Sequence, residues 1–175
     1  TICIKEGKYY GYNTDGGGFL RALADLGVEA RGKQVLLLGS GGAAKAVSAA
    51  LAEAGARVTI ANRTVQKAEE LCGMAPEQLS AAGFEIETLC KLAKDSEILV
   101  NCTSLGMEGT GRDFADLSFV DALPPGAAVC DAIYAPEETA LLYRARQRGL
   151  PVMNGMGMLL YQAILALERF TGETI

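Results

Sequence analysis

Apolar positions along this chain fall into two alternating registers. "QVLLLG", residues 34–39, is a continuous apolar run closed by glycine, the pattern of a parallel strand covered on both faces. "AAKAVSAALAEAG", residues 43–55, then predicts an Ala-rich helix ending at Gly55. "RVTIAN" at 57–62 reads as a second strand and "TVQKAEELCG" at 64–73 as a short helix. The pattern weakens over residues 74–94, where a weak strand at 84–87 and a helix after it are expected. "SEILVNCTS" at 96–104 and "AAVCDAIY" at 127–134 are further strands. "PEETALLYRARQRG" at 136–149 predicts a helix with Pro136 in its first turn. "LPVMNG" at 150–155 is a short last strand, and "GMLLYQAILALERFTG" at 157–172 a last helix. Ahead of all this, "TICIKEGKYYGYN" alternates as a short hairpin, and Asp15 is placed to cap a helix running to Gly27. Strands alternating with helices imply an α/β fold with a doubly wound parallel sheet.

Composition narrows the picture only a little. A length of 175 residues suits one sizeable core. The net charge of −5 argues against general binding to nucleic acid or to a membrane surface. Five cysteines, widely spaced and without a CxxC, read as reduced thiols of a cytoplasmic protein rather than as disulfides or a metal site. The chain has no His, so no mechanism can draw a His base or ligand from it. "GMLLYQAILAL" is too short to span a bilayer. A polar, Gly-rich stretch at 107–113 is expected to be a flexible loop.

"GSGGAA", Gly39 to Ala44, matches GxGxxA between a predicted strand and a predicted helix. Gly39 allows the tight turn, Gly41 lets a pyrophosphate approach the backbone, and Ala44 lets the helix pack close to the sheet. Ser40, Gly42 and Ala43 complete the loop, and the helix N-terminus offers free N–H groups. In NAD-binding versions the second strand ends in an acid for the ribose 2′-OH. Here it ends in Asn62, Arg63 and Thr64, with Lys67 one turn on. An acid at that place would repel a 2′-phosphate by about 4 kcal/mol at ~4 Å. Arg63 offers a planar fork of donors instead, so the expected cofactor is NADP.

Four more segments are hard to explain as packing: "GYNTDGGG", "NCTSLGM", "DAIYAPEETALL" and "GMGMLLYQA". With the cofactor loop and "NRTVQK", they resemble the shikimate dehydrogenase family in order and over nearly the whole chain. The resemblance implies a Rossmann-like domain and NADPH-linked reduction of 3-dehydroshikimate to shikimate. It implies that Asp15 is the acid of a catalytic Lys–Asp pair and that Tyr134 and Gln162 lie near the substrate. Thr103, Ser104, Leu105 and Gly106 are expected near the nicotinamide, together with Gly155 and Met158.

The family's N-terminal domain supplies the catalytic Lys and the groups that hold substrate hydroxyls, and Thr1 looks like the end of an Asn-Thr pair that closes it. The expectation is therefore that residues 1–14 end a missing substrate domain and residues 15–30 form a connecting helix. Residues 31–153 would form the cofactor domain, and residues 154–175 a helix returning toward the substrate domain. Such a chain should bind NADP without turning over shikimate, and should pack against the missing domain or self-associate. A quinate/shikimate dehydrogenase variant, a glutamyl-tRNA reductase and a stand-alone NADP-binding regulatory module are the alternatives. Arg63 speaks against an NAD-preferring variant, and "YAP" with "MLLYQA" against the reductase.

Overall fold

The computed structural model describes all 175 residues, the Lys5 side chain excepted. Two strands, β1 (Ile2–Lys5) and β2 (Lys8–Gly11), form an antiparallel hairpin. The other six are β3 (Gln34–Leu38), β4 (Arg57–Ala61), β5 (Leu79–Ala82), β6 (Ile98–Asn101), β7 (Ala128–Asp131) and β8 (Val152–Met153). They form one parallel sheet in the order β5-β4-β3-β6-β7-β8. Counted from β3, that is the 3-2-1-4-5-6 order of doubly wound dinucleotide-binding sheets, with the winding reversing between β3 and β6.

Helices cover both faces, which is why the central strands β3, β6 and β7 are apolar except at one end. Val35 and Leu37 of β3 face a core shared with Phe19 and Leu23 of α1 (Asp15–Asp25) and Val47 and Leu51 of α2 (Gly42–Glu53). Leu36 and Leu38 face the other core, with Leu89 of α4 (Ile86–Ala93), Phe119 of α5 (Ser118–Asp121), and Leu141 and Leu142 of α6 (Ala140–Gln147). Burial of each such Leu or Phe contributes about 1.5–3 kcal/mol. Along the first face run α3 (Val65–Cys72), whose Ala68 is buried there, and the long α7 (Gly155–Thr171).

Three local expectations are corrected. The strand expected at 84–87 is β5 at Leu79–Ala82, in register with β4 from Val58↔Leu79 to Ala61↔Ala82, and Ile86 and Glu87 open α4 instead. Pro136 is not in the first turn of α6. Thr139 is the N-cap, its hydroxyl accepting from the Leu142 N–H at 3.3 Å, and it starts the helix at Ala140. Asp15 is not a cap either: Thr14 holds the N-cap position of α1, and Asp15 is the first helical residue, its N–H donating to Asn13 Oδ1 at 3.0 Å.

The hairpin leaves Ile2, Ile4 and Tyr9 exposed, and α7 leaves Leu160 and Phe170 exposed. Among the described residues no helix is long and apolar enough to cross a membrane.

Candidate functional site

At the carboxyl ends of β3, β4 and β6 lies a cleft of about 370 Å³. Its floor is Gly39, Ser40 and Gly41. Gly39 has φ +102°, and a Cβ there would stand 3.0 Å from Cys102 O, so only glycine fits the turn. Gly41 is the N-cap of α2 and offers no side chain to its first-turn N–H groups, leaving them to a ligand. Space is open where a Cβ would stand on Gly41 and Gly42. By contrast α6 and α7 are capped by the side chains of Thr139 and Asn154. A dinucleotide pyrophosphate fits this cradle.

The end of β4 supplies the second wall. Asn62, Arg63, Thr64 and Lys67 all line the cleft. The Asn62 amide donates to Thr64 O at 2.8 Å, which holds the turn into α3. Thr64 is the N-cap of α3, but its hydroxyl makes no cap bond. Arg63 and Lys67 are exposed, and neither forms an ion pair among the described residues.

The third wall, after β6, is built on a buried polar network. Asp131 Oδ1 accepts from the Asn101 amide and from the Ile133 N–H, both at 3.0 Å, and Oδ2 accepts from the Thr139 hydroxyl at 2.8 Å. Asn101 Oδ1 in turn accepts from the Thr103 N–H at 3.0 Å and from its hydroxyl at 2.7 Å. Thr103 Oγ1 accepts from the Leu105 N–H at 3.1 Å. Asn101, Asp131 and Thr139 are fully buried, so the network fixes the loop that presents Thr103, Ser104 and Leu105 to the cleft. Burial raises the Asp131 carboxyl above its ordinary range, against the three donors that lower it. Burial, with Asp131 adding to it, also pushes the Cys130 thiol up to about 12 and the Cys102 thiol higher still, so neither is a nucleophile at neutral pH.

A larger groove of about 620 Å³ lies away from these residues, lined in part by Asp25, Glu137 and Glu138. Its three carboxylates, against a single cation, Arg146, make it the less favourable of the two for an anion, whereas the smaller cleft is lined by Arg63, Lys67 and Arg112.

Of the remaining expected site residues, Gly42, Ala43 and Gly106 adjoin the cleft in sequence but do not line it. Gly155 and Met158 do not line it either. Gly155 is packed where a Cβ would stand 2.2 Å from Ala132 O, and Met158 is buried in the core beside α1. Asp15 opens α1, and Gln162 lies midway along α7, where the hydroxyl of Thr14 is 3.5 Å from Gln162 Oε1. Tyr134, half exposed, follows β7 on the loop that joins α7 through the Gly155 N–H to Ile133 O bond.

Phe84, Cys102 and Arg112 also line the cleft and were not expected there. Nor was the Asn101–Asp131–Thr139 network, although one signal for it exists. "ILVN" and "AVCD" are buried apolar strands that each end on a polar residue, and a buried polar group needs partners.

The sheet order and the cleft at its point of reversal define a doubly wound α/β domain of the dinucleotide-binding class. A family model described as shikimate/quinate 5-dehydrogenase matches residues 22–107. The NADP(+) shikimate dehydrogenase of Alkaliphilus metalliredigens is 41% identical over 179 residues, which cover 99% of this chain and 62% of that protein. A shikimate 5-dehydrogenase from Listeria monocytogenes, solved with shikimate and NAD, superposes with a TM-score of 0.89 at 31% identity, over 99% of this chain and 63% of that one. The enzyme from Thermus thermophilus, solved with NADP(H) and shikimate, gives 0.82 at 36% identity, over 99% and 62%. The chain is similar over 99% of its length to shikimate dehydrogenases, and it spans about three-fifths of the length of the relatives it matches.

Proposed function

We propose that this chain is the NADP-binding portion of a shikimate dehydrogenase, the enzyme that interconverts 3-dehydroshikimate and shikimate in aromatic amino acid biosynthesis. The observation that carries this reading is the charge of the cleft. Arg63 and Lys67 stand unpaired where an NAD site would hold a carboxylate, and no Asp or Glu lines the cleft. The names of the Alkaliphilus and Thermus relatives support the same cofactor. The NAD in the Listeria complex is the competing reading, and Arg63 weighs against it.

In this reading Gly39 to Ala44 hold the pyrophosphate, and Asn62, Arg63, Thr64 and Lys67 hold the adenosine 2′-phosphate. Thr103, Ser104, Leu105 and Gly106, with Gly155 and Met158, position the nicotinamide. When bound, NADPH supplies the hydride for a ketone carbon. Tyr134 and Gln162 orient the substrate, and Asp15 works with a Lys to move the proton at its oxygen. None of the seven lysines here stands in a motif matching the family's catalytic Lys, so that partner belongs to a substrate domain. Residues 1–14 would end that domain, 15–30 connect, 31–153 bind the cofactor, and 154–175 return toward it. Exposed Ile2, Ile4, Tyr9, Leu160 and Phe170 suit that packing, or self-association where the domain is missing.

Calorimetric titration with NADP and NAD tests the reading. NADP should bind the more tightly, and Arg63→Ala should remove about tenfold of that preference, the size of an exposed charge-assisted phosphate contact. Equal affinity for the two nucleotides, or no binding of either, would sink it. These 175 residues alone should show no NADP-dependent oxidation of shikimate, and measurable turnover would overturn that part.

A further inference from the structure

We propose that Arg112 is a third cationic arm of the cleft, reaching a phosphate of the dinucleotide from the lip opposite Arg63 and Lys67. This rests on the NADP reading above and adds a ligand that no motif of the sequence marks.

The two lips belong to opposite faces of the sheet. Arg63 and Lys67 belong to the turn into α3, whose Ala68 packs in the core on the first face. Arg112 belongs to the segment after β6, whose Phe114 packs in the core on the second face. Both lips line the same cleft. The chain carries 21 Asp and Glu against 16 Lys and Arg. Even so, this cleft gathers three cations and no carboxylate.

The segment that carries Arg112 is held in place. The Gly106 N–H donates to Arg112 O at 2.9 Å, and the Glu108 N–H to Ala135 O at 3.0 Å. The Thr110 hydroxyl donates to Met107 O at 2.8 Å and accepts from the Arg112 N–H at 3.3 Å. Phe114 stacks on Phe84 with ring centroids 6.4 Å apart, and Phe84 itself lines the cleft. Backbone bonds thus fix the start of the segment at the end of β6, and an aromatic pair fixes its end beside β5. Arg112 stands between those anchors and lines the cleft.

Its guanidinium has no hydrogen bond or ion pair among the described residues, whereas Arg21, Arg144 and Arg146 each hold a carboxylate. An arginine that lines a cleft without a carboxylate in its lining, and that holds none itself among the described residues, can serve an anion that enters. A planar fork of N–H donors suits a phosphate. The shared chemistry is phosphate, from either the 2′-phosphate or the pyrophosphate.

The test is titration of the wild type, Arg63→Ala and Arg112→Ala with NADP and NAD at low salt. Circular dichroism would check that each is folded, and Arg112→Lys serves as a charge-retaining control. Arg112→Ala should weaken NADP binding about tenfold, less so as salt screens the contact, and Arg112→Lys should recover part of it. A loss confined to NADP supports the 2′-phosphate as the partner, and an equal loss on NADP and NAD supports the pyrophosphate. If Arg63→Ala lowers NADP affinity while Arg112→Ala leaves both nucleotides unchanged, this proposal falls and the NADP reading stands. If the wild type binds neither nucleotide, both fall.

Discussion

Asp131→Ala should destabilise the protein by about 3–5 kcal/mol, enough to lower the melting temperature by about 10 °C or more. The carboxylate accepts from three donors at once: the Asn101 amide, the Ile133 N–H and the Thr139 hydroxyl. All are shut away from water, and each buried donor left unpaired costs about 1–3 kcal/mol. The sum is less than three separate losses because the Thr139 hydroxyl can turn elsewhere. Thr139 also starts α6, so the damage reaches the helix as well as the loop. Asp131→Asn is the discriminating companion. It keeps one acceptor for Asn101 and Ile133 and sheds the buried charge, and should cost only about 1–2 kcal/mol. Wild type and Asp131→Asn also separate by pH. Because burial raises the native pKa of Asp131, its protonated form is favoured by folding. The stability this contributes is complete below about pH 4, the unfolded value, and is lost as pH rises through the raised native value. Wild type should therefore lose ground to Asp131→Asn as pH rises above 4, in paired thermal melts. An Asp131→Ala cost under about 1 kcal/mol would mean that water replaces the carboxylate and that the loop is not held by this network.

What the sequence made legible was local. β3, β4, β6 and β7 are short apolar runs bounded by glycine or polar residues, and the glycine loop and "NRT" directly follow two of them. β5 was missed because "LSAA" has no β-branched or aromatic residue. Its strand character comes from pairing with β4, a tertiary effect that propensity does not record. The start of α6 was misplaced because proline is a strong N-terminal signal. The cap that prevailed is a threonine whose hydroxyl is fixed by Asp131, eight residues away. The site divides in the same way. Residues 39–41, 62–67 and 103–105 follow strands directly and meet because the strands are neighbours. Asn101 and Asp131 lie 30 residues apart, and their meeting depends on the register of β6 against β7. Phe84 and Arg112 reach the cleft through a ring contact that no spacing announces.

The second large effect lies where α1 crosses α7. Gly18→Ala should destabilise the fold by about 2–3 kcal/mol, although alanine is the better helix former by ~1 kcal/mol. A Cβ on Gly18 would stand 2.6 Å from Gln162 N, 2.7 Å from Met158 O and 3.0 Å from Gln162 Cα. These are backbone atoms, so no side-chain rotation relieves the clash and the helices must part. On its other side α1 is held against α2, where a Cβ on Gly16 would stand 2.5 Å from Ala46 O, so α1 has no direction in which to yield. Overpacking therefore outweighs propensity. Gly42→Ala is the control: it is also helical, nothing lies within 4 Å of its Cβ, and it should be neutral or stabilising by up to ~1 kcal/mol. Denaturant melts of the two variants read the difference directly. A Gly18→Ala protein within ~0.5 kcal/mol of wild type would mean that α7 shifts freely on α1. The consequence then reaches the proposed chemistry, because the crossing is also what sets Gln162 beside Thr14, the residue that precedes Asp15. In an enzyme carrying its substrate domain, the wedge should lower kcat/KM for shikimate by shifting Gln162 and the nicotinamide-side residues of α7, while the phosphate-binding walls of the cleft, which draw no residue from α1 or α7, keep most of the NADP affinity.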